Sequence, residues 1–221
     1  MLATKQILVW FGFVASVLLL SWVRMEPIAQ YQTQKGIWAS SYSPVMDKAI
    51  AGPIPGLMAD FRLLDVFAIY YDMKYAYKPI DGQHMAVYLN RAQNLDPYFF
   101  DVYRLAGSLL AYDARMPEAS IALLQQGITY REDVWEFPFF AGFIAHDLLE
   151  DDFLAFQLMR QVVGREGIPL IVLTLASRFL EKSSSKEDAI AFLEGLKQLM
   201  PSDYQAGIQK RIDDLRGVLE H

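Results

Sequence analysis

The chain has 221 residues, of which 53% are hydrophobic, and a formal net charge of −6. It contains no cysteine, which excludes disulfide scaffolds, zinc–thiolate sites, iron–sulfur clusters and thiol nucleophiles. It has no long basic block, so no nucleic-acid partner is expected, because such binding needs clustered Lys and Arg.

The first element is the uncharged run from Ile7 to Val23. As a helix it would extend about 25 Å at roughly 1.5 Å per residue, a short crossing of a hydrocarbon core about 30 Å thick. Trp10 and Trp22 lie toward its two ends, where interfacial tryptophans are favoured, and Lys5 and Arg24 flank it. A cleaved signal peptide is the competing reading. The run is longer than the usual signal core, and Val23-Arg24-Met25-Glu26-Pro27 lacks a small-residue cleavage site, so a retained single-pass transmembrane helix over 1–24 is expected. Lys5 and the N-terminal amine favour a cytoplasmic N-terminus, with the rest on the non-cytoplasmic side, periplasmic in a bacterial cell. Gly12 and Ser16, four apart, form a small-xxx-small pair that lets two membrane helices approach closely.

Residues 25–56 read as a connector. Pro27, Pro44, Pro53 and Pro55, with Gly36, Gly52 and Gly56, disfavour long helices, although proline suits the first turn of a short helix over 44–51. From Leu57 onward the pattern is helical. The expected helices are 57–77, 82–95, 100–115, 117–129, 135–149, 151–164, 168–182, 186–199 and 202–219. Pro79, Pro97, Gly164, Gly167 and Pro201 supply stops, and Ser185-Lys186-Glu187-Asp188 supplies a capping entry. Sustained strand-like alternation is missing, so the fold class is all-α.

Small residues recur along these helices. Ala106-Gly107 and Ala141-Gly142 are 35 residues apart, and Ala119, Ala155 and Ala189 follow at steps of 36 and 34. Pro97 and Pro201 end comparable helices. A period near 34 with these residue types resembles the tetratricopeptide repeat. Gly107, Ala119 and Leu123 fit one unit, Gly142, Ala155 and Met159 a second, and Ala189, Leu193 and Pro201 a third in which Ser177 takes the glycine place. Met85, Leu89, Ala92 and Pro97 fit a degenerate first unit. The resemblance implies an α–α superhelix of about four imperfect units over 57–221, closed by the amphipathic helix at 202–219.

Little in the sequence points to chemistry. His84, His146 and His221 lack the spacing of a metal-ligand pair, and no phosphate loop, nucleophile elbow or HExxH motif occurs. His146-Asp147 reads as a polar position on a packed helix rather than a base and its orienting group, and Glu150-Asp151-Asp152 as a solvated helix entry rather than a metal site. No metal, cofactor or catalytic residue is expected. Aromatic residues are more informative. Phe67, Tyr70, Tyr71, Tyr75 and Tyr77 crowd one helix, and Trp135, Phe137, Phe139, Phe140 and Phe143 another. Each crowd occupies more than one helical face, so some rings must point outward and mark a contact.

The tetratricopeptide resemblance implies a groove, lined by the first helix of each unit, that receives a peptide or partner helix. Carrying its positions onto this chain selects Phe67, Tyr70 and Lys74, then Arg104, Ser108 and Tyr112, then Phe139, Phe143 and His146. Lys74 and Arg104 among aromatic anchors suggest an amphipathic or acidic ligand. The expected protein is a membrane-anchored, non-catalytic adaptor, an accessory subunit that holds other protein subunits and is capable of self-association. The rival reading is a structural subunit of a self-assembled filament or secretion apparatus, packed through its N-terminal apolar helix. An enzyme with a site formed across several helices is a third reading, carried by no motif.

Overall fold

The computed structural model describes residues 44–165 and 167–217. The apolar run at 7–23, with Gly12 and Ser16, lies outside the described residues. Among the described residues no helix is long and apolar enough to cross a membrane, and no strand occurs.

The described chain is all-helical. Helix α1 (Pro44–Ala51) precedes the long α2 (Pro55–Tyr75) and α3 (Gly82–Leu95). Helix α4 (Phe100–Leu105) runs directly into a π-helical stretch (Ala106–Asp113). There follow α5 (Pro117–Tyr130), α6 (Glu136–Leu149), α7 (Asp152–Met159) with a closing 3₁₀ turn (Arg160–Val162), α8 (Leu170–Ser183), α9 (Lys186–Leu199) and α10 (Ser202–Arg216). From α2 onward each helix packs mainly on the next in sequence, so the chain is a series of helical hairpins. The second helices of these hairpins begin at residues 82, 117, 152 and 186, steps of 35, 35 and 34.

Local chemistry sets the helix starts. Asp81, Asp151 and Ser185 each accept a hydrogen bond from the backbone N–H three residues on, at 3.1, 2.8 and 3.1 Å, and so begin α3, α7 and α9. Pro55 and Pro117 stand in the first turns of α2 and α5, where a missing N–H costs nothing. Three hairpin turns hold a non-glycine residue at positive φ: Tyr77, Arg115 and Glu150. Each accepts the left-handed region, at about 1–2 kcal/mol, because the packed helices on either side fix the turn.

Close helix contact is made where side chains are small, one residue away from the register expected in the second unit. Gly142 is the seventh residue of α6, and a Cβ there would lie 2.8 Å from the Ala155 carbonyl oxygen and 3.0 Å from Met159 Cβ. The seventh residues of α4 with its extension and of α8 are Ala106 and Ala176, both fully buried. Gly107 and Ser177 stand one place further on. The matching place on the second helices is Ser120, Ala155 and Ala189, each 0% exposed, whereas Ala119 is half-exposed. Ser120 serves as the small residue because its hydroxyl donates to the Ala106 carbonyl at 2.6 Å, which satisfies its buried polar group. A Cβ added at Gly107 would lie at ordinary contact, 3.5 Å, from Phe140 Cβ and Cγ of the next hairpin, so the place would accept alanine.

Neighbouring hairpins are also joined through their loops. Arg131 donates to the Tyr98 carbonyl at 3.3 Å. Arg165 donates to the carbonyls of Arg131 and Val134 at 3.2 and 2.6 Å. The Tyr204 hydroxyl donates to the Ile168 carbonyl at 2.7 Å. At the N-terminal end, the buried Asp47 of α1 accepts from Arg62 of α2 at 3.2 Å and lies 3.3 Å from Arg91 Nε of α3. Within 25–56, expected as a connector, helix α1 thus packs on α2 and α3 and buries Asp47 and Ala51, and the compact unit begins at Pro44.

Gly142→Ala is expected to lower stability by about 1–3 kcal/mol, because α6 and α7 must separate to admit a methyl group. Gly195→Ala, with nothing within 4 Å of the new Cβ, should instead gain about 0.5–1 kcal/mol from helix propensity. Urea unfolding of the two variants tests both signs. Asp47→Ala leaves Arg62 and Arg91 without their shared buried counter-charge and should cost about 3 kcal/mol or more. Limited proteolysis should then cut first near α1.

Candidate functional site

Helix α6 places Trp135, Phe139 and Phe143 at steps of four, on one side of the helix and its entry. Their rings form a continuous strip. Trp135 meets Phe139 edge-on at 5.9 Å, and Phe139 stacks on Phe143 at 6.1 Å. Phe137, on another face, is fully buried against Tyr103, with ring centroids 5.0 Å apart. Gly127 makes room for this pair, since a Cβ there would lie 2.7 Å from the Tyr103 ring and 3.0 Å from Phe137. Phe143 is exposed and Trp135 and Phe139 are half-buried, so the strip is available to a partner.

The π-helical stretch, which ends the first helix of the second hairpin, packs on α6 of the next hairpin. Lys74 of α2 lies in the field of Asp113, at the end of the π-helical stretch. Its ammonium donates to the Tyr70 hydroxyl at 2.7 Å and sits 4.9 Å from the centre of that ring. The Tyr70 hydrogen bond, the charge on Tyr70 and the more distant Asp113 hold the Lys74 pKa above its ordinary value. Tyr112, beside Asp113, meets Asp147 of α6. Burial, the Asp147 charge and their hydrogen bond together push the Tyr112 phenol up to about 12. His146 lies against Phe179 of α8, ring centroids 4.5 Å apart.

Among the expected groove residues, Lys74, Arg104, Ser108, Tyr112 and Phe143 are exposed, and Phe67, Phe139 and His146 are half-buried. Two are engaged inside the fold. Tyr70 is 8% exposed. His146 Nδ1 pairs with Asp152 at 2.6 Å, while Asp147 is turned to Tyr112. His146 and Asp147 therefore do not form a base with its orienting group. Glu150, Asp151 and Asp152 each have a local role, as left-handed helix end, N-cap and partner of His146. Ser108 donates to the Arg104 carbonyl at 3.0 Å, one turn back. Arg104 pairs with Asp101 at 3.1 Å, and Lys74 has Asp113 near it. Among the described residues no cluster of histidines and carboxylates is arranged to hold a metal ion.

A second apolar surface, on the outward side of α2, lies outside the expected set apart from Tyr71 and Tyr75 in its aromatic crowd. The steps between Leu57, Phe61, Leu64, Ala68, Tyr71 and Tyr75 alternate four and three, a spacing legible in the sequence but masked by the equally apolar buried face.

Compared with known proteins, the chain matches no protein-family model and no curated protein.

The fold favours the neutral Tyr112 phenol. Its contribution to stability is full below about pH 10, the unfolded value, and is lost as pH rises toward about 12. In an ultraviolet titration, Tyr112→Phe should remove one of the two phenols, Tyr103 and Tyr112, that ionise at about pH 12.

Proposed function

We propose that this protein is a membrane-anchored, non-catalytic adaptor whose tetratricopeptide-like helical hairpins hold another protein subunit. The observation that carries the reading is the ring strip Trp135–Phe139–Phe143, stacked along α6 and its entry and partly exposed. Stacked, partly exposed aromatic side chains supply large contact area at small entropic cost, which is the composition of binding hot spots. The repeat of second-helix starts at 34–35 residues supports the family resemblance. The uncharged run at 7–23 supports anchoring, which would confine the array to a bilayer surface and raise its effective concentration toward membrane partners.

The test is extraction of the full-length protein from its native membranes in mild detergent, with identification of stoichiometric co-purifying chains. The wild type should resist carbonate washing and carry a defined subunit. Phe139→Ala with Phe143→Ala should reduce that subunit by about tenfold or more with thermal unfolding little changed. Release by carbonate alone would sink the anchor, and undiminished co-purification would sink the aromatic strip.

A further inference from the structure

Helix α2 has two apolar faces, and the described residues cover only one. Ala59, Leu63, Val66 and Tyr70 point into the array and are buried. On the other side Leu57, Phe61, Leu64, Tyr71 and Tyr75 are 49, 50, 60, 50 and 78% exposed, with the exposed Ala68 between them. This outward seam keeps the four-and-three spacing of a helix that pairs with another helix. It runs for roughly 27 Å at about 1.5 Å per residue. Tyr71 and Tyr75 already stack, with ring centroids 6.1 Å apart, so the end of the seam is ordered before anything binds.

The other end of the array is built differently. Helix α10 buries Ile208, Ile212 and Leu215 and turns Asp203, Lys210, Asp214 and Arg216 outward. A linear array needs such a polar outer face at each end to stay soluble. The α2 end presents an apolar stripe in its place.

The charges beside the stripe select what covers it. Helical phase puts the exposed Asp60 along one edge and the exposed Asp72 along the other, while Asp65, on the Asp72 side, is already paired with Arg62. The cations of α2 are turned elsewhere, Arg62 to Asp47 and Asp65, and Lys74 to Tyr70. We propose that the outward seam of α2 docks one amphipathic helix of a partner protein, with aliphatic or aromatic residues at three-and-four spacing and Lys or Arg along both edges. A second copy of this chain would set aspartates against aspartates, which is unfavourable. Anionic lipid would meet the same repulsion. An extended peptide cannot match six contacts spaced at 3.5 residues, whereas a helix can. The proposal deepens the adaptor reading but uses a different face of α2 from Lys74, so the two fail separately.

The probe is a pair of fluorescein-labelled helical peptides of about 21 residues that share one Leu/Ile seam, with Lys at the flanking positions of one and Glu at those of the other. Anisotropy is read with the full chain in zwitterionic nanodiscs, empty discs subtracted. The Lys peptide should bind at least about tenfold more tightly than the Glu peptide, and more weakly as salt rises. Leu64→Glu with Tyr71→Glu should abolish binding. Asp60→Lys with Asp72→Lys should invert the preference. Phe139→Ala with Phe143→Ala should leave binding unchanged, separating this seam from the α6 strip. All substituted side chains except Phe139 are exposed, and circular dichroism with thermal unfolding verifies each fold. Equal binding of the two peptides, or binding undisturbed in the Leu64/Tyr71 variant, overturns the proposal. So does a dimer in sedimentation, or attachment to phosphatidylglycerol vesicles, that the Leu64/Tyr71 variant loses.

Discussion

The contact on which this fold depends is between backbones rather than between side chains. At Gly142 the α6 chain comes so close to Ala155 and Met159 of α7 that a single added carbon would touch a carbonyl oxygen at 2.8 Å. Ala106 and Ser120 repeat the approach one hairpin earlier, with a hydroxyl–carbonyl bond of 2.6 Å across the gap. Approaches of this kind bring Leu124, Met159 and Leu193, each fully buried, to corresponding places one turn further along their helices. A hairpin built this way still has apolar surface on its outer sides, and one hairpin alone cannot cover it. The next hairpin does so, and Arg131, Arg165 and Tyr204 then tie loop to loop across the joints.

Much of this architecture was legible in the residues. Prolines, glycines and the Ser185 cap marked helix limits that the structure reproduces to within a few residues, because helix ends are set by short-range chemistry. The small-residue period was also readable, but its register slipped by one. Two adjacent small residues, Ala106 and Gly107, offered themselves for one place, and glycine drew the assignment. Ser120 fills the small-residue place because its hydroxyl is satisfied by the Ala106 carbonyl, a partner that sequence spacing does not reveal. The Tyr112–Asp147 and His146–Asp152 pairings were not legible, since each joins residues whose proximity depends on how two helices rotate about their axes.

That rotation has a local cause in the second hairpin. From Ala106 to Asp113 the helix winds more widely, and Ala114 N–H reaches back to the Leu109 carbonyl, five residues away, at 2.9 Å. A π-helical turn takes more residues than an α-turn, so positions after Ala106 fall progressively behind those that α-helical counting would give. Tyr112 is thereby presented to α6, where it meets Asp147, and the charge of Asp113 reaches Lys74 of α2. The same stretch carries Gly107 past Phe140 of α6, while Phe139 and Phe143 stack on each other along that helix.

The two ends of the array answer the same constraint in opposite ways. An end helix has no successor to cover its outer side, so that side must be polar or must be covered from outside. Helix α10 meets the first condition with charged residues, two of them paired backward, Arg211 to Glu181 and Arg216 to Glu194. Helix α1 is the only described element before α2, and it is a short one. The shared charge of Asp47 with Arg62 and Arg91 fixes it beside α2 and α3, but it leaves the α2 stripe open. A buried ion pair is a costly way to hold eight residues, because both charges lose water. Its effect is geometric. Among the described residues the outward seam of α2 then runs unbroken by proline for about five helical turns, a length over which a second helix can pair.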